Sequence, residues 1–173
     1  ATKLRTEKSK EIMRKVNLAV IKGNKSEIAV LAGVKAQTKG VEAGKVEADL
    51  GKIATRLARE SNVAVVITGK TDIVASPSGK AYYIGNGHEN MGMVVGTGCM
   101  ASSVVGAFCA VEKDSAKAAA SALACYGVAG EIAARKASAP MAYRHALIDA
   151  VHSLSEKQVK TLAKVVEHGK NRS

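Results

Sequence analysis

Apolar positions along the chain switch between two periods. Residues 3–16 set Leu4, Ile12, Met13 and Val16 among charges, the pattern of an amphipathic helix. Leu18-Ala19-Val20-Ile21 is a short apolar run closed by Gly23-Asn24, which predicts a buried strand. Ser26 to Ala32 reads as a helix that Gly33 ends. Residues 34–45, with Gly40 and Gly44, read as loop, and 46–60 as a longer helix with Leu50, Ile53, Ala54 and Leu57 at helical spacing. The β-branched run Val63 to Thr68 predicts a central parallel strand. Asp72 to Ser76 and Lys80 to Ile84 flank Pro77-Ser78-Gly79, a hairpin by its turn chemistry. After the glycine-rich stretch 85–98 the pattern predicts helices to the end of the chain, near 99–112, 115–137 and 143–166. Strands alternating with helices, then a helical tail, define an α/β layered fold, with no repeat and no domain boundary within residues 1–173.

Composition refines this picture. Apolar residues make up 47% of the 173, yet there is one Phe, four Tyr and no Trp, so Ala, Val, Ile and Gly must do the packing. The formal charge of +11 is concentrated in Lys3–Lys15 and Lys157–Arg172, on stretches that read as helices with solvated faces. With no zinc-finger spacing and too few aromatics for base stacking, it favours a basic enzyme with anionic ligands over a nucleic-acid binder. Three cysteines without paired or metal-type spacing indicate reduced thiols and a cytoplasmic setting. No apolar run approaches membrane-spanning length.

Four segments carry candidate chemistry. Gly96-Thr97-Gly98-Cys99 precedes a small-residue helix. Its glycines let backbone approach a ligand closely, and amides at a helix start favour an anion. Cys99 would sit in the first turn, where the helix dipole favours thiolate, a possible base toward a substrate hydroxyl. The same feature also fits a packing turn before an Ala-rich helix. Lys22-Gly23-Asn24-Lys25-Ser26-Glu27 falls at a strand's carboxyl end, where open α/β sheets collect ligands. Lys22 could meet a phosphate, and Glu27 with Asn24 could hold Mg²⁺, directly or through water. The same residues equally read as a helix start in which Asn24 caps and Glu27 completes a capping box. Thr68-Gly69-Lys70-Thr71-Asp72 looks like a P-loop but lacks the required upstream glycine, since that position is Ala64. Thr68 remains a hydroxyl contact for phosphate or ribose. Asn86-Gly87-His88 is turn-forming, with His88 read as a solvated or hydrogen-bonding residue.

Taken in order, these pieces resemble the hydroxyethylthiazole kinase family. The motifs are Lys22-Gly23-Asn24-Lys25-Ser26-Glu27-Ile28, Leu31-Ala32-Gly33, Lys39-Gly40-Val41 and Thr68-Gly69-Lys70-Thr71-Asp72. Asn86-Gly87-His88, Gly96 to Met100, and the Tyr126 to Ala133 helix follow. The resemblance implies a ribokinase-like, three-layer αβα sandwich with a mostly parallel central sheet, and a homotrimer with active sites at subunit interfaces. It implies transfer of phosphate from Mg²⁺-ATP to 4-methyl-5-(2-hydroxyethyl)thiazole. In that frame Lys22, Asn24, Thr68 and Gly98 serve ATP, Glu27 supports Mg²⁺, Gly96 touches the thiazole, and Cys99 stands nearest the reacting hydroxyl. Hydroxymethylpyrimidine phosphate kinases, which can share Gly-Thr-Gly-Cys, are the nearest alternative, and a non-catalytic basic module the alternative of another class.

Departures are Lys22 for the commoner Arg, which loses a bidentate fork, Val95 for a usual Thr, and Ala139-Pro140-Met141-Ala142 for a usual Gly-Pro-Gly-Ser. The chain opens with Ala1, where the resemblance sets an upstream third carrying several strands, a thiazole-contacting Met and an acidic Mg²⁺ partner. Without that third, the expectation is an exposed sheet edge, exposed apolar surface and no turnover.

Overall fold

A computed structural model describes residues 2–34 and 43–169. The Lys39-Gly40-Val41 motif and most of the expected 34–45 loop lie outside the described residues. The chain divides into two compact units, one of residues 1–83 with 167–173 and one of residues 84–166.

The first unit holds most of the sheet. Helix α1 (Lys3–Lys15) is capped by Thr2 and buries no residue. Strand β1 (Val20–Asn24) runs into α2 (Lys25–Leu31), and α3 (Ala43–Ser61) leads to β2 (Ala64–Thr68). The hairpin β3 (Asp72–Ala75) and β4 (Ala81–Ile84) follows, and the sheet is completed by β5 (Val165–His168). The order is β1-β2-β3-β4-β5. β1 pairs with β2 in parallel, Val20 opposite Ala64 and Asn24 opposite Thr68. β2 pairs with β3 antiparallel, Val65 opposite Ala75 and Ile67 opposite Ile73. The sheet is thus mixed. β2 is an interior strand with four of its five residues buried, which a run of Ala, Val and Ile tolerates on both faces.

One face of this sheet is a dry core. Ile21, Val65, Ile67, Ile73 and Ala75 pack against Ile28 of α2 and Ala54, Leu57 and Ala58 of α3. Asn62, with φ of 54°, takes the left-handed conformation that ends α3 and turns the chain into β2. The hairpin closes where Ser76 N–H donates to Lys80 O at 2.8 Å and Gly79 N–H to Ser76 O at 2.9 Å, with Gly79 at φ +95°. That is the left-handed position Pro77-Ser78-Gly79 predicts.

The second unit is helical. α4 (Asn90–Met93), α5 (Thr97–Cys109), α6 (Ser115–Lys136), α7 (Pro140–His152) and α8 (Glu156–Leu162) follow in order. Asp114 caps α6, accepting from Ala116 and Lys117 N–H. Thirteen of the residues of α6, nearly all Ala or Gly, are buried. Small side chains let α5 and α7 approach its axis closely, which replaces the missing aromatic packing.

Three expectations need correction. The chain is not helical to its end: the 143–166 segment breaks at Ser153, restarts at Ser155 as α8, and gives way to strand β5. Ser155 accepts from Gln158 N–H while Gln158 Oε1 accepts from Ser155 N–H, a capping box that restarts the helix. β1 also lies later than the expected apolar run, because its ladder with β2 continues through Gly23 and Asn24 until Asn24 caps α2. Residues 43–45, expected as loop, are the first turn of α3.

Candidate functional site

In the first unit, four side chains named from the sequence gather at the carboxyl edge of the β1–β2 pair. Asn24 Oδ1 accepts from Glu27 N–H at 3.0 Å and from the Ser26 hydroxyl at 2.8 Å. Glu27 Oε2 accepts from Asn24 N–H at 2.7 Å. The capping box read in the sequence is therefore present. Gly23 lets it close: a Cβ there would meet Glu27 Cβ at 3.1 Å and Ile28 Cδ1 at 3.2 Å. The Thr68 hydroxyl donates to Gly23 O at 3.4 Å, tying the last residue of β2 to β1. Lys22 is half-buried in β1, two residues before Asn24, and so shares its face of the sheet.

Asp72 joins this group, though its motif carried no role in the sequence. Val66 faces Val74 and Ile67 faces Ile73, so the same register continued by one residue sets Asp72 beside Thr68. Its Oδ1 accepts from Gly69 N–H at 2.9 Å. Burial pushes its carboxyl up to about 6, against the pull of the Gly69 amide and the Lys22 ammonium. A Thr-Gly-x-x-Asp spacing after a strand was the available signal: the turn brings Asp72 back to the strand end it left.

Glu27 is exposed, with Oε2 committed to the cap, so Oε1 is the oxygen it can offer a cation. Mg²⁺ keeps several waters and takes one or two carboxylates with substrate phosphates, so a single exposed carboxylate fits it. No cluster of three or more His, Cys, Asp or Glu suited to a metal occurs among the described residues.

In the second unit, Gly96 starts α5 at φ +100°, and no side chain caps the helix. Thr97 turns its hydroxyl backward, within 2.7 Å of Met91 O and 3.1 Å of Val94 O. The Tyr126 hydroxyl of α6 donates to Thr97 O at 3.0 Å. These bonds pin the turn, and burial raises the Tyr126 phenol far above its ordinary pKa, so it remains a donor. At Gly96 and Gly98 an added Cβ would meet no atom of the described residues within 4 Å. Among the described residues nothing fills the place of a side chain at either glycine, which suits close approach of a ligand to the backbone. Cys99 is exposed in the first turn, whereas Cys109 and Cys125 are half-buried and burial raises both thiols. Val95, beside this turn, is 97% exposed.

His88 plays the local role expected, its Nδ1 accepting from Asn90 N–H at 3.2 Å. A network the sequence did not reveal lies next to it. Buried Asn86 donates to Glu131 Oε1 at 3.1 Å and to Leu162 O at 2.8 Å, and accepts from Lys164 N–H at 2.6 Å. Gly87 N–H and Lys164 Nζ also reach Glu131, at 3.2 and 3.0 Å. Burial alone would raise the Glu131 carboxyl, but Lys164, the Gly87 amide and Asn86 outweigh it and hold the group below its ordinary value.

A mixed α/β sheet with cation, hydroxyl and carboxylate at the carboxyl ends of its strands is the construction of ligand-binding α/β proteins. The model of the hydroxyethylthiazole kinase family matches residues 1–157, and the chain belongs to that family. It is 48% identical to a hydroxyethylthiazole kinase of Methanosarcina acetivorans over 94% of this chain and 62% of the relative. It is 42% identical to that of Chloroflexus aggregans over 96% of this chain and 60% of the relative. A hydroxyethylthiazole kinase structure from Pyrococcus horikoshii superposes with a TM-score of 0.86 at 37% identity, over 97% of this chain and 61% of that one. The chain thus spans a little under two thirds of the length of these relatives.

Proposed function

We propose that this chain forms part of an ATP-dependent kinase that phosphorylates the hydroxyl of 4-methyl-5-(2-hydroxyethyl)thiazole. The observation that carries the reading is the pairing of family membership with the exposed, glycine-framed Cys99 turn. Lys22 meets the nucleotide phosphates and Thr68 supplies a hydroxyl contact, with Asn24 at the same strand edge and Gly98 offering backbone. Gly96 admits the thiazole. The substrate hydroxyl oxygen bonds to the γ-phosphorus, the bond from that phosphorus to the β–γ bridging oxygen breaks, and ADP leaves. Cys99 stands beside the hydroxyl as the acceptor of its proton. Glu27, directly or through water, would hold Mg²⁺, which would neutralise the phosphate charge when bound.

The same reading makes the assembled protein a ribokinase-like, three-layer αβα sandwich with a mostly parallel sheet, a cytoplasmic homotrimer with interfacial active sites. Exposed Leu4, Val16, Val95 and Val111 are apolar surface that such an assembly would cover. No helix among the described residues is long and apolar enough to cross a membrane.

The test is ADP release by a polypeptide of the relatives' length that contains this chain. Thiazole alcohol should stimulate it, and hydroxymethylpyrimidine phosphate should not. Cys99→Ala should lower turnover by about 100-fold, and Cys99→Asp should retain most of it. Equal rates in all three proteins would remove Cys99 from the chemistry, and preference for the pyrimidine would reassign the substrate.

A further inference from the structure

Two tyrosine hydroxyls of the second unit donate to backbone carbonyls inside helices, and one of those carbonyls belongs to a candidate site. Tyr126 of α6 donates to Thr97 O in the first turn of α5 at 3.0 Å, and Tyr143 of α7 donates to Gly130 O within α6 at 3.2 Å. Both residues are buried, at 5% and 0% exposure, and a buried phenol needs an acceptor wherever it lies. Neither carbonyl needs the phenol, because the helical ladder already gives Thr97 O the Ala101 amide and Gly130 O the Ala134 amide. The two bonds thus match in chemistry and burial and differ in what they hold. Gly130 lies deep in a long helix, with buried Val128, Ala129 and Ala133 around it. Thr97 lies between Gly96 and Gly98, in a helix start with no side-chain cap, two residues before exposed Cys99. A first turn of that make-up is loose unless other groups fix it.

We propose that Tyr126 is a positioning residue: its hydroxyl, bonded to Thr97 O, holds the first turn of α5 so that the Cys99 thiol meets the substrate hydroxyl. This rests on the reading of Cys99 as the acceptor of that hydroxyl's proton. Tyr126 suits the task because its own helix cannot easily give way. Its neighbours Gly127, Val128 and Ala129 are buried, so the ring is fixed from behind and its oxygen is the end that reaches α5. The Thr97 hydroxyl anchors the same turn from another side, within 2.7 Å of Met91 O and 3.1 Å of Val94 O. One residue is thereby held twice, its carbonyl by α6 and its side chain by the segment before α5, while the thiol two positions on stays exposed. Proton transfer needs heavy atoms within about 2.6–3.2 Å, so a turn free to drift by about 1 Å loses most productive contacts.

Tyr126→Phe, Tyr143→Phe and Cys99→Ala test this on the same polypeptide of the relatives' length, assayed well below each variant's thermal midpoint. Phenylalanine keeps the ring and its packing and removes only the donor. Both Phe variants should lower the thermal midpoint by a similar amount, about 2–4 °C. Tyr126→Phe should also lower kcat about 5- to 10-fold, with KM for ATP and for the thiazole alcohol changed less than about 2-fold. Tyr143→Phe should keep kcat within about 1.5-fold of wild type. In the Cys99→Ala background Tyr126→Phe should change kcat less than about 1.5-fold, because no thiol is left to place. Thr97→Val removes the other anchor and keeps the shape. It should lower kcat by a factor similar to that of Tyr126→Phe, and gives a second reading should that variant misfold.

An unchanged kcat in Tyr126→Phe would overturn the proposal, since the bond would then serve the fold alone. An equal kcat loss in both tyrosine variants would overturn it as well, because the place of the bond would not matter. So would an equal loss with and without the Cys99 thiol, since Tyr126 would then act on something else. Should Cys99→Ala itself turn over at the wild-type rate, the proton-acceptor reading fails, and this proposal with it. That outcome is told apart by the Cys99 single variant alone.

Discussion

The two candidate regions are built by opposite means. At the β1–β2 edge the candidate groups are polar or charged side chains, each held by a second group: Asn24 by Glu27, Thr68 by the Gly23 carbonyl, Asp72 by the Gly69 amide. At the Gly96 turn the candidate groups are backbone and an exposed thiol, and the holding is done from behind by Thr97 and Tyr126. Side chains suit the first because charge must be placed and oriented. Backbone suits the second because a Cβ at Gly96 or Gly98 would take up space that no described residue fills. The first region should therefore tolerate isosteric changes with graded losses. The second should fail abruptly wherever a glycine approach is filled.

The largest expected effect sets the open glycine of that turn against a helix glycine whose space is already filled. Gly127 of α6 packs so close to the Asn86 strand exit that an added Cβ would meet Asn86 Cβ at 2.6 Å, its carbonyl O at 2.7 Å and its carbonyl C at 2.8 Å. Two of these atoms are backbone and cannot rotate away. Gly127→Ala should cost about 2–4 kcal/mol of unfolding free energy, measured in urea with an unchanged m-value. Gly98→Ala, where nothing lies within 4 Å among the described residues, should leave stability within about 0.5 kcal/mol. A similar small loss at both positions would show that α6 can shift to make room.

A second pair of changes separates the β1–β2 edge from the Asn86–Glu131–Lys164 network by the sign of the pH response. Glu131 has a folded-state pKa below its unfolded value, so its contribution is present above the ordinary carboxylate range and lost as pH falls through the folded value. Its carboxylate is 13% exposed and shared by three donors. Glu131→Gln should cost about 1–2 kcal/mol near pH 7, and the difference from wild type should shrink toward pH 3. Asp72 is the reverse: its folded value of about 6 lies above the ordinary one, so the stability it adds is full at low pH and lost as pH rises through 6. Asp72→Asn should accordingly raise the thermal midpoint at pH 8, by the equivalent of about 1–2 kcal/mol, and leave it unchanged near pH 3.5. Lower stability of Asp72→Asn at pH 8 would make Asp72 a structural residue and undo the contrast.

These groups mark where the sequence stops being legible. Helical and strand periods were readable from α1 to the β3–β4 hairpin, because one face of each element is apolar and the turns carry Gly, Pro or Asn. α6 was readable from its Ala-rich run between Asp114 and Ser138. β5 was not, because all four of its residues are exposed and its Val165-Val166 pair lacks the alternation of a half-buried strand. Of the candidate site, the Asn24–Glu27 box is local in sequence and was readable as such. The Asn86–Glu131–Lys164 network joins residues 45 and 78 positions apart, which no local pattern encodes. Asp72 falls between: its motif is visible, but its closeness to Lys22 depends on strand order.

The smallest expected effect bears on the doubled reading of Asn24. As a cap it saturates α2, and Asn24→Ala should cost about 1 kcal/mol through the loss of the bond to Glu27 N–H. Serine is also a strong N-cap and keeps a side-chain oxygen for that amide, so Asn24→Ser should lose only a few tenths of a kcal/mol. The two substitutions remove the same carboxamide from the strand edge. If Asn24 also touches the nucleotide, both variants should bind Mg²⁺-ATP more weakly by a similar factor of about 3–5 while differing in thermal midpoint. If capping is its whole role, Asn24→Ser should match wild type in both measurements, and any loss in Asn24→Ala should follow stability alone. Because α2 is short, with only Ile28 and Ala29 buried, its capping box is a large part of what holds it, and the Glu27 carboxylate moves with it. A weakened cap should therefore appear first as a higher Mg²⁺ requirement, before any loss of folded protein.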